Sequence, residues 1–379
     1  MKIGILTLPL HTNYGGNLQA YALMTVLKDM GHDVWLVNRQ GGKIPGWRIP
    51  IEIAKRVVKK FALGKKNVVI FAEAKARKEY ALISQYTQPF INTHIQPQTK
   101  AAHTTEELSE LVEKDKFDAI IVGSDQVWRI PYSPSIEDYF FGFLTGNKVK
   151  RISYAASFGT ENWEFSKEQE NNCAALLKQF DAVSVREASG VEMCKKYFGV
   201  KAQHVLDPTM LLDVSKYINL IEPLKKEKKK EGVLVYILDE TPDKSEVINS
   251  VSKLLGKSVF RVNAKTEDKS VSIEERIAPP TEEWIKGFYE ADFIITDSFH
   301  ACVFAILFKK PFLIYGNPYR GLARFKSLLA MFGLEDQLIL SSKDYSAEKT
   351  LKEIDWQRVH EILNEKKKEA KTFLKTILG

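Results

Sequence analysis

Phe293-Ile294-Ile295-Thr296-Asp297-Ser298-Phe299-His300-Ala301-Cys302-Val303-Phe304-Ala305-Ile306-Leu307 is the stretch on which the reading of this chain turns. Its opening run of β-branched and aromatic residues predicts a short buried strand. The strand stops at Thr296-Asp297-Ser298, residue types that favour a helix N-cap. A second apolar run follows at once, long enough for a buried helix. His300 then falls in the first turn of that helix, just past the carboxyl end of a strand. In open α/β sheets ligands bind at that edge, and the free N–H groups of a helix start attract anions. His300 is therefore a candidate for chemistry beside a phosphate or carboxylate. A histidine that merely caps or packs is the plainer alternative.

The same strand-to-helix rhythm opens the chain. Lys2 to Leu8 reads as a strand, Pro9 to Tyr14 as a turn, Gly15 to Leu27 as a helix ended by Gly31, and Asp33 to Asn38 as a second strand. That βαβ unit implies a parallel sheet. Gly15 and Gly16 allow close backbone approach, but they form neither a GxGxxG fingerprint nor a Walker A loop. Asn13, Asn17 and Gln19 are neutral groups better suited to hydroxyls than to a pyrophosphate; a Gly-rich turn with an Asn cap is the alternative. Residues 45–115 read as a mostly helical insertion. The strand Phe117 to Gly123 then ends in Ser124-Asp125-Gln126-Val127-Trp128-Arg129, where Asp125 and Gln126 offer hydroxyl ligands and Trp128 an apolar face for a sugar.

Further strands over Arg151 to Gly159 and Asp181 to Val185 flank a helix over Ser166 to Gln179. Arg186, at the next crossing, offers a bidentate fork to a carboxylate or phosphate, or else forms a surface pair with Glu187. A helix to Phe198 and a short strand, Gln203 to Leu206, lead to Asp207-Pro208-Thr209. From Asp213 to Glu231 the pattern dissolves into Pro- and Lys-rich sequence, read as a linker. A second βαβ series starts at Val233 and reaches the His300 stretch. After the strand Pro311 to Gly316, the loop from Asn317 brings Arg320, Arg324 and Lys326 toward the same edge as His300. Ala347 to Leu378 reads as a charged helical tail. The expected layout is a first Rossmann-like domain over 1–222, a linker over 223–231, a second such domain over 232–352, and a C-terminal helix over 353–379 that returns toward the first.

Composition agrees with two domains: 379 residues at ~150 per domain, with 44% hydrophobic residues to form cores. Cys173, Cys194 and Cys302 form no CxxC and fit a reducing cytoplasm. No signal peptide or spanning segment is legible, so a cytoplasmic location is expected. The net charge of +7 is clustered. The basic amphipathic stretch Ile51 to Lys66 suits either contact with an anionic membrane surface or a helix that covers its own domain. No nucleic-acid signature is present, and no metal-ligand spacing stands out.

Six motifs in order carry a resemblance: Asn13-Tyr14-Gly15-Gly16-Asn17-Leu18-Gln19-Ala20, Val122-Gly123-Ser124-Asp125-Gln126-Val127-Trp128, Ser157-Phe158-Gly159, Ser184-Val185-Arg186-Glu187, Asp207-Pro208-Thr209 and Asp297-Ser298-Phe299-His300. Together they resemble the polysaccharide pyruvyl transferase family. The resemblance implies two Rossmann-like domains facing across a GT-B-like cleft, with the acceptor on the first and the donor on the second. It implies transfer of the pyruvyl group of phosphoenolpyruvate to a sugar of a surface polysaccharide or its lipid-linked precursor, as a ketal, with phosphate released. Phosphoenolpyruvate is then a co-substrate, no cofactor or metal is required, and peripheral contact with the inner membrane surface is expected of an enzyme with a lipid-linked acceptor.

On this resemblance His300 matches the family's histidine, Arg186 its arginine after the boundary strand, and Arg324 or Arg320, with Arg324 preferred, its loop arginine. The chemistry of the donor then makes His300 the expected acid/base, Arg186, Arg324, Arg320 and Ser298 the expected donor-binding residues, Asp125 the expected base on the acceptor, and Asn13, Gly16, Asn17, Gln126 and Trp128 the expected acceptor-binding residues. One departure stands out. Several relatives carry Arg-Leu where this chain has Ser298-Phe299, which removes an anion-binding arginine and puts more weight on the loop arginines. A GT-B glycosyltransferase using a sugar nucleotide, or a non-catalytic glycan-binding relative, is the alternative.

Overall fold

A computed structural model describes residues 1–144, 146, 148–226, 228–317 and 321–379. Among these the strands fall into two parallel sheets. The first contains β1 (Lys2–Leu6), β2 (Asp33–Val37), β3 (Ala119–Val122), β4 (Lys150–Ala156), β5 (Ala182–Val185) and β6 (Gln203–His204), in the order β2-β1-β3-β4-β5-β6. The second contains β7 (Val233–Tyr236), β8 (Val259–Phe260), β9 (Phe293–Thr296), β10 (Phe312–Tyr315) and β11 (Leu338–Ile339), in the order β11-β10-β9-β7-β8. Every residue of β3, β7, β9 and β10 is buried. Helices on both faces of a parallel sheet require such continuous apolar strands.

Both orders contain a reversal. β1 has β2 on one side and β3 on the other, and β7 has β8 on one side and β9 on the other. Chains leaving such a pair run to opposite faces and open a crevice beyond the strands' carboxyl ends. Asn13 and Asp125 follow the first pair; Ser298 and His300 follow the second.

The helices of the first half are α1 (Tyr14–Asp29), α2 (Ile49–Phe61), α3 (Ala72–Ile83), α4 (Gln88–His94), α5 (Thr105–Asp115), α6 (Lys167–Leu177), α7 (Ala188–Met193) and α8 (Val214–Ile221). Those of the second are α9 (Pro242–Leu255), α10 (Ile273–Arg276), α11 (Thr281–Glu290), α12 (Phe299–Leu307), α13 (Leu322–Phe332), α14 (Ala347–Leu351) and α15 (Trp356–Leu378). α12, apolar all round, is buried at each of its nine residues. One apolar core runs through both halves. Within it Tyr14 stacks on Trp284 at 5.6 Å between ring centroids, and its hydroxyl donates to the Pro279 carbonyl at 2.8 Å. α15 crosses back to the first half: Lys367 Nζ donates to the Leu212 carbonyl at 2.9 Å and Lys150 Nζ to the Ile377 carbonyl at 2.6 Å.

Three readings of the sequence change. The supposed linker from Asp213 begins as helix α8, whose Val214, Tyr217, Ile218 and Ile221 share one face, with Tyr217 and Ile221 fully buried. The lysines that follow Leu224 masked that periodicity. The tail from Ala347 is two helices, broken at 352–355. Helix α2 fully buries none of its residues, and only Ile49, Glu52, Ile53, Arg56 and Lys60 are half-buried, so it covers little of its domain. No helix among the described residues is long and apolar enough to cross a membrane.

Tyr217 packs edge-on against Phe304 at 4.9 Å and donates to the Thr209 carbonyl at 2.9 Å. Tyr217→Ala should therefore destabilise the protein by about 3–5 kcal/mol, as for a buried aromatic. Chemical denaturation checks this, since a linker residue would change stability by no more than about 0.5 kcal/mol.

Candidate active site

Asp207 follows β6 and caps the short turn Pro208–Met210. Its Oδ1 accepts from Thr209 N at 3.0 Å and Thr209 Oγ1 at 2.6 Å, which fixes the carboxylate plane. Oδ2 is turned toward three other groups: Arg186 Nη1 at 2.9 Å, Ser124 Oγ at 3.4 Å and His300 Nε2 at 3.5 Å. Burial alone would push this carboxyl up, but the adjacent His300 and Arg186 outweigh it and hold it far below the usual carboxylate range.

Arg186 leaves the end of β5 and is buried. Its guanidinium lies 4.7 Å from the Phe299 ring centroid, and that of Arg324 lies 5.4 Å from the same ring. Burial, with Arg186 close by, pulls Arg324 down to about 10. Arg186 Nη2 stands 3.8 Å from Asp125 Oδ1, and its Nε and Nη2 are buried without a hydrogen bond among the described residues. Two guanidiniums against one aromatic ring, with Arg186 N–H donors still to be satisfied, are chemistry that suits an anion.

His300 is 7% exposed. One side of its ring meets Asp207; the other meets α1, where a Cβ at Gly15 would lie 2.0 Å from Nδ1. A Cβ at Gly16 would lie 3.3 Å from Asp125 Oδ2. The two glycines thus let the second domain's histidine and the first domain's carboxylate approach the start of α1. Gly321, at φ +91°, plays the same part for Arg324: a Cβ there would lie 2.3 Å from the Gly159 carbonyl oxygen. Asp297 does not cap α12. It accepts from Leu238 N at 2.7 Å, Asp239 N at 3.2 Å and Lys244 Nζ at 2.7 Å, tying the exit of β9 to that of β7.

Of the residues singled out in the sequence, the fold thus gathers His300, Arg186, Arg324 and Asp125. Asn13 caps α1 by accepting from Gly16 N at 3.2 Å, and with Gly15, Ser298, Tyr236, Arg261 and Lys265 it lines a cavity of ≈ 500 Å³ between the two crevices. Ser298 N donates to Thr296 Oγ1 at 3.0 Å. Gln126 is half-buried, with Oε1 accepting from Arg129 Nη1 at 3.3 Å.

Two acceptor assignments need correction. Trp128 is fully buried, its indole stacked on Phe140 and donating to the Tyr139 carbonyl at 3.0 Å, so no ring face is open to a sugar. Asn17 is also fully buried and holds the His11 carbonyl at 2.7 Å, a support for the loop rather than a ligand group. Arg320 lies outside the described residues. Asp207 and Glu187 carried no role in the sequence reading. Glu187 Oε1 accepts from Phe158 N at 2.7 Å and Ser157 Oγ at 3.1 Å, locking β4 to β5 beneath Arg186. The signal for both was their place in two of the motifs that carry the family resemblance. No group of three His, Cys, Asp or Glu among the described residues could hold a metal ion.

Asp207 is ionised in the fold at pH values where an unfolded aspartate is protonated. Its stabilisation is complete above about pH 4 and falls away as pH drops below that value. Asp207→Asn should flatten the decline of stability below pH 4 by about 1.4 kcal/mol per pH unit, measured by urea denaturation across pH. At neutral pH the same change should cost about 3–5 kcal/mol by leaving Arg186 uncompensated.

Comparison with known proteins places this geometry. The polysaccharide pyruvyl transferase model matches residues 13–319. No curated protein matches the chain. Among solved structures, UDP-N-acetylglucosamine 2-epimerase from Rickettsia bellii is 12% identical, with 100% of this chain and 96% of that chain covered, at a TM-score of 0.52. A glycosyltransferase from Rickettsia africae ESF-5 is 11% identical, with 100% and 98% covered, at 0.50. S. aureus MnaA, in a co-structure with UDP, is 13% identical, with 96% and 91% covered, at 0.50. At these identities the likeness is one of fold: a GT-B-like pair of parallel α/β sheets with a long C-terminal helix. The matched segment runs from Asn13 past His300 and spans Asp125, Arg186 and Asp207, and on that match the chain belongs to the polysaccharide pyruvyl transferase family.

Proposed function

We propose that this protein transfers the pyruvyl group of phosphoenolpyruvate to a pair of sugar hydroxyls, forming a pyruvate ketal. The observation that carries the reading is the pair Arg186 and Arg324, both against the Phe299 ring, beside His300. Phosphoenolpyruvate presents a carboxylate and a phosphate on one carbon, and two guanidiniums suit such a dianionic centre.

Proton transfer to the methylene carbon makes it a methyl group and leaves cationic character on the central carbon. A sugar hydroxyl adds there and gives up its proton. The C–O bond to phosphate then breaks, inorganic phosphate departs with the bonding electron pair, and the second hydroxyl closes the ketal as it loses its proton. Of the two protons released, one balances the methyl group and the other is carried by phosphate. His300 is the group that supplies and recovers the proton, held by Asp207 and set against Gly15 at the cleft wall. Asp125, above the start of α1, is the base for the acceptor hydroxyl. The acceptor lies in the cavity lined by Asn13 and Ser298. Residues 261–268 form its opposite wall.

A thermal-shift titration with phosphoenolpyruvate, alongside sugar nucleotides, tests the donor. Phosphoenolpyruvate at a hundredfold excess over its Kd should stabilise the protein by about 2.7 kcal/mol, and Arg324→Gln should abolish that gain. Stabilisation by a sugar nucleotide alone would replace this reading with glycosyl transfer. His300→Gln should retain the phosphoenolpyruvate shift while lowering phosphate release by about 10²–10⁴-fold. Gly15→Ala, which drives a methyl into the imidazole, should show the same split between binding and turnover.

A further inference from the structure

Helix α2 and its flanks form a surface that the proposed chemistry does not use. On α2 the apolar residues Ile51, Ala54, Val57, Val58 and Phe61 recur at helical spacing, and all five are exposed. Around them stand Trp47 (66% exposed), Leu63 (63%), Phe71 (61%) and Phe61 itself (72%). Large apolar side chains this exposed, on and beside one helix face, mark an interaction surface.

Its charge selects the partner. Residues 43–66 hold eight cations, Lys43, Arg48, Lys55, Arg56, Lys59, Lys60, Lys65 and Lys66, against one carboxylate, Glu52. Those residues carry +7, the net charge of the whole chain, so the remainder is neutral by count. Glu52 is paired with Lys55 at 2.8 Å, and Arg56 is turned inward onto Glu73 of α3. A second copy docked here by two-fold symmetry would set lysines against lysines. An anionic bilayer answers both halves of the pattern: acyl chains for the apolar face, headgroups for the lysines beside it.

The surface is also coupled to the cleft. Arg56 and Glu73 join α2 to α3; Ala278 N donates to the Ile83 carbonyl at 3.1 Å, joining α3 to the segment after α10. Lys265 N donates to the Glu275 carbonyl at 3.0 Å, joining α10 to residues 261–268 of the cavity wall.

We infer that α2 with its flanking turns is a docking surface for an anionic membrane, holding the mouth of the interdomain cleft near the lipid headgroups. This goes beyond pyruvyl transfer and holds for any reaction the cleft performs.

Co-sedimentation of the full chain with vesicles tests it. Vesicles of equal phosphatidylglycerol and phosphatidylcholine should carry the protein down; pure phosphatidylcholine should leave it in solution. Lys59→Gln with Lys60→Gln should reduce partitioning at least ~10-fold, added salt should do likewise, and Phe61→Ser should reduce it with the fold unchanged by circular dichroism. Equal binding to both vesicles, or binding to neither, would overturn the inference. So would self-association in sedimentation velocity that Phe61→Ser abolishes while vesicle binding stays at background.

Discussion

The buried carboxylate of Asp207 is the constraint on which the site depends. It belongs to the first sheet, yet one of its oxygens serves Arg186 from that sheet and faces His300 from the second. A charge this deep is tolerated because Arg186 pairs with one oxygen and Thr209 donates twice to the other. The position of the imidazole, the direction of the Arg186 fork and the closeness of the two sheets all follow from satisfying that one group. The aromatic core at Tyr14, Trp284 and Phe304 brings the halves together without specifying which polar atoms meet; Asp207 supplies the specification.

Much of this was legible in residue order, and the limits of legibility have physical causes. The βαβ rhythm appears wherever a strand buried on both faces runs into a helix, because continuous apolar runs and their punctuation are local signals. Arg186, Arg324 and His300 could be found because each stands at such a boundary. Trp128 misled because an indole after a strand looks the same whether it faces a cleft or Phe140; only the packing of the 136–140 turn decides it. Helix α8 was hidden for a related reason: the four apolar positions on its one face are read correctly once Tyr217 is seen against Phe304, a contact spanning 87 residues. Asp207 and Glu187 act through partners distant in sequence, and no spacing rule encodes that.

Glycine does unusual duty at the domain boundary. Gly15 and Gly321 each remove a side chain where a group from the opposite domain arrives, His300 and the Gly159 carbonyl in turn, and Gly16 does so for Asp125 of its own domain. Missing methyl groups, rather than added contacts, therefore set how near the His300 imidazole stands to the start of α1. The imidazole presses against backbone on this side, and Gly15, which it meets, also lines the cavity of ≈ 500 Å³.

The course of α15 has a mechanical consequence. The chain passes from the first domain to the second after α8, and α15 carries it back onto Leu212 and Lys150 of the first. The halves are held together by these crossings and by the core they share, so any opening between them would have to part Tyr14 from Trp284 as well as His300 from Gly15. Arg186 and Asp207, both in the first half, would stay paired.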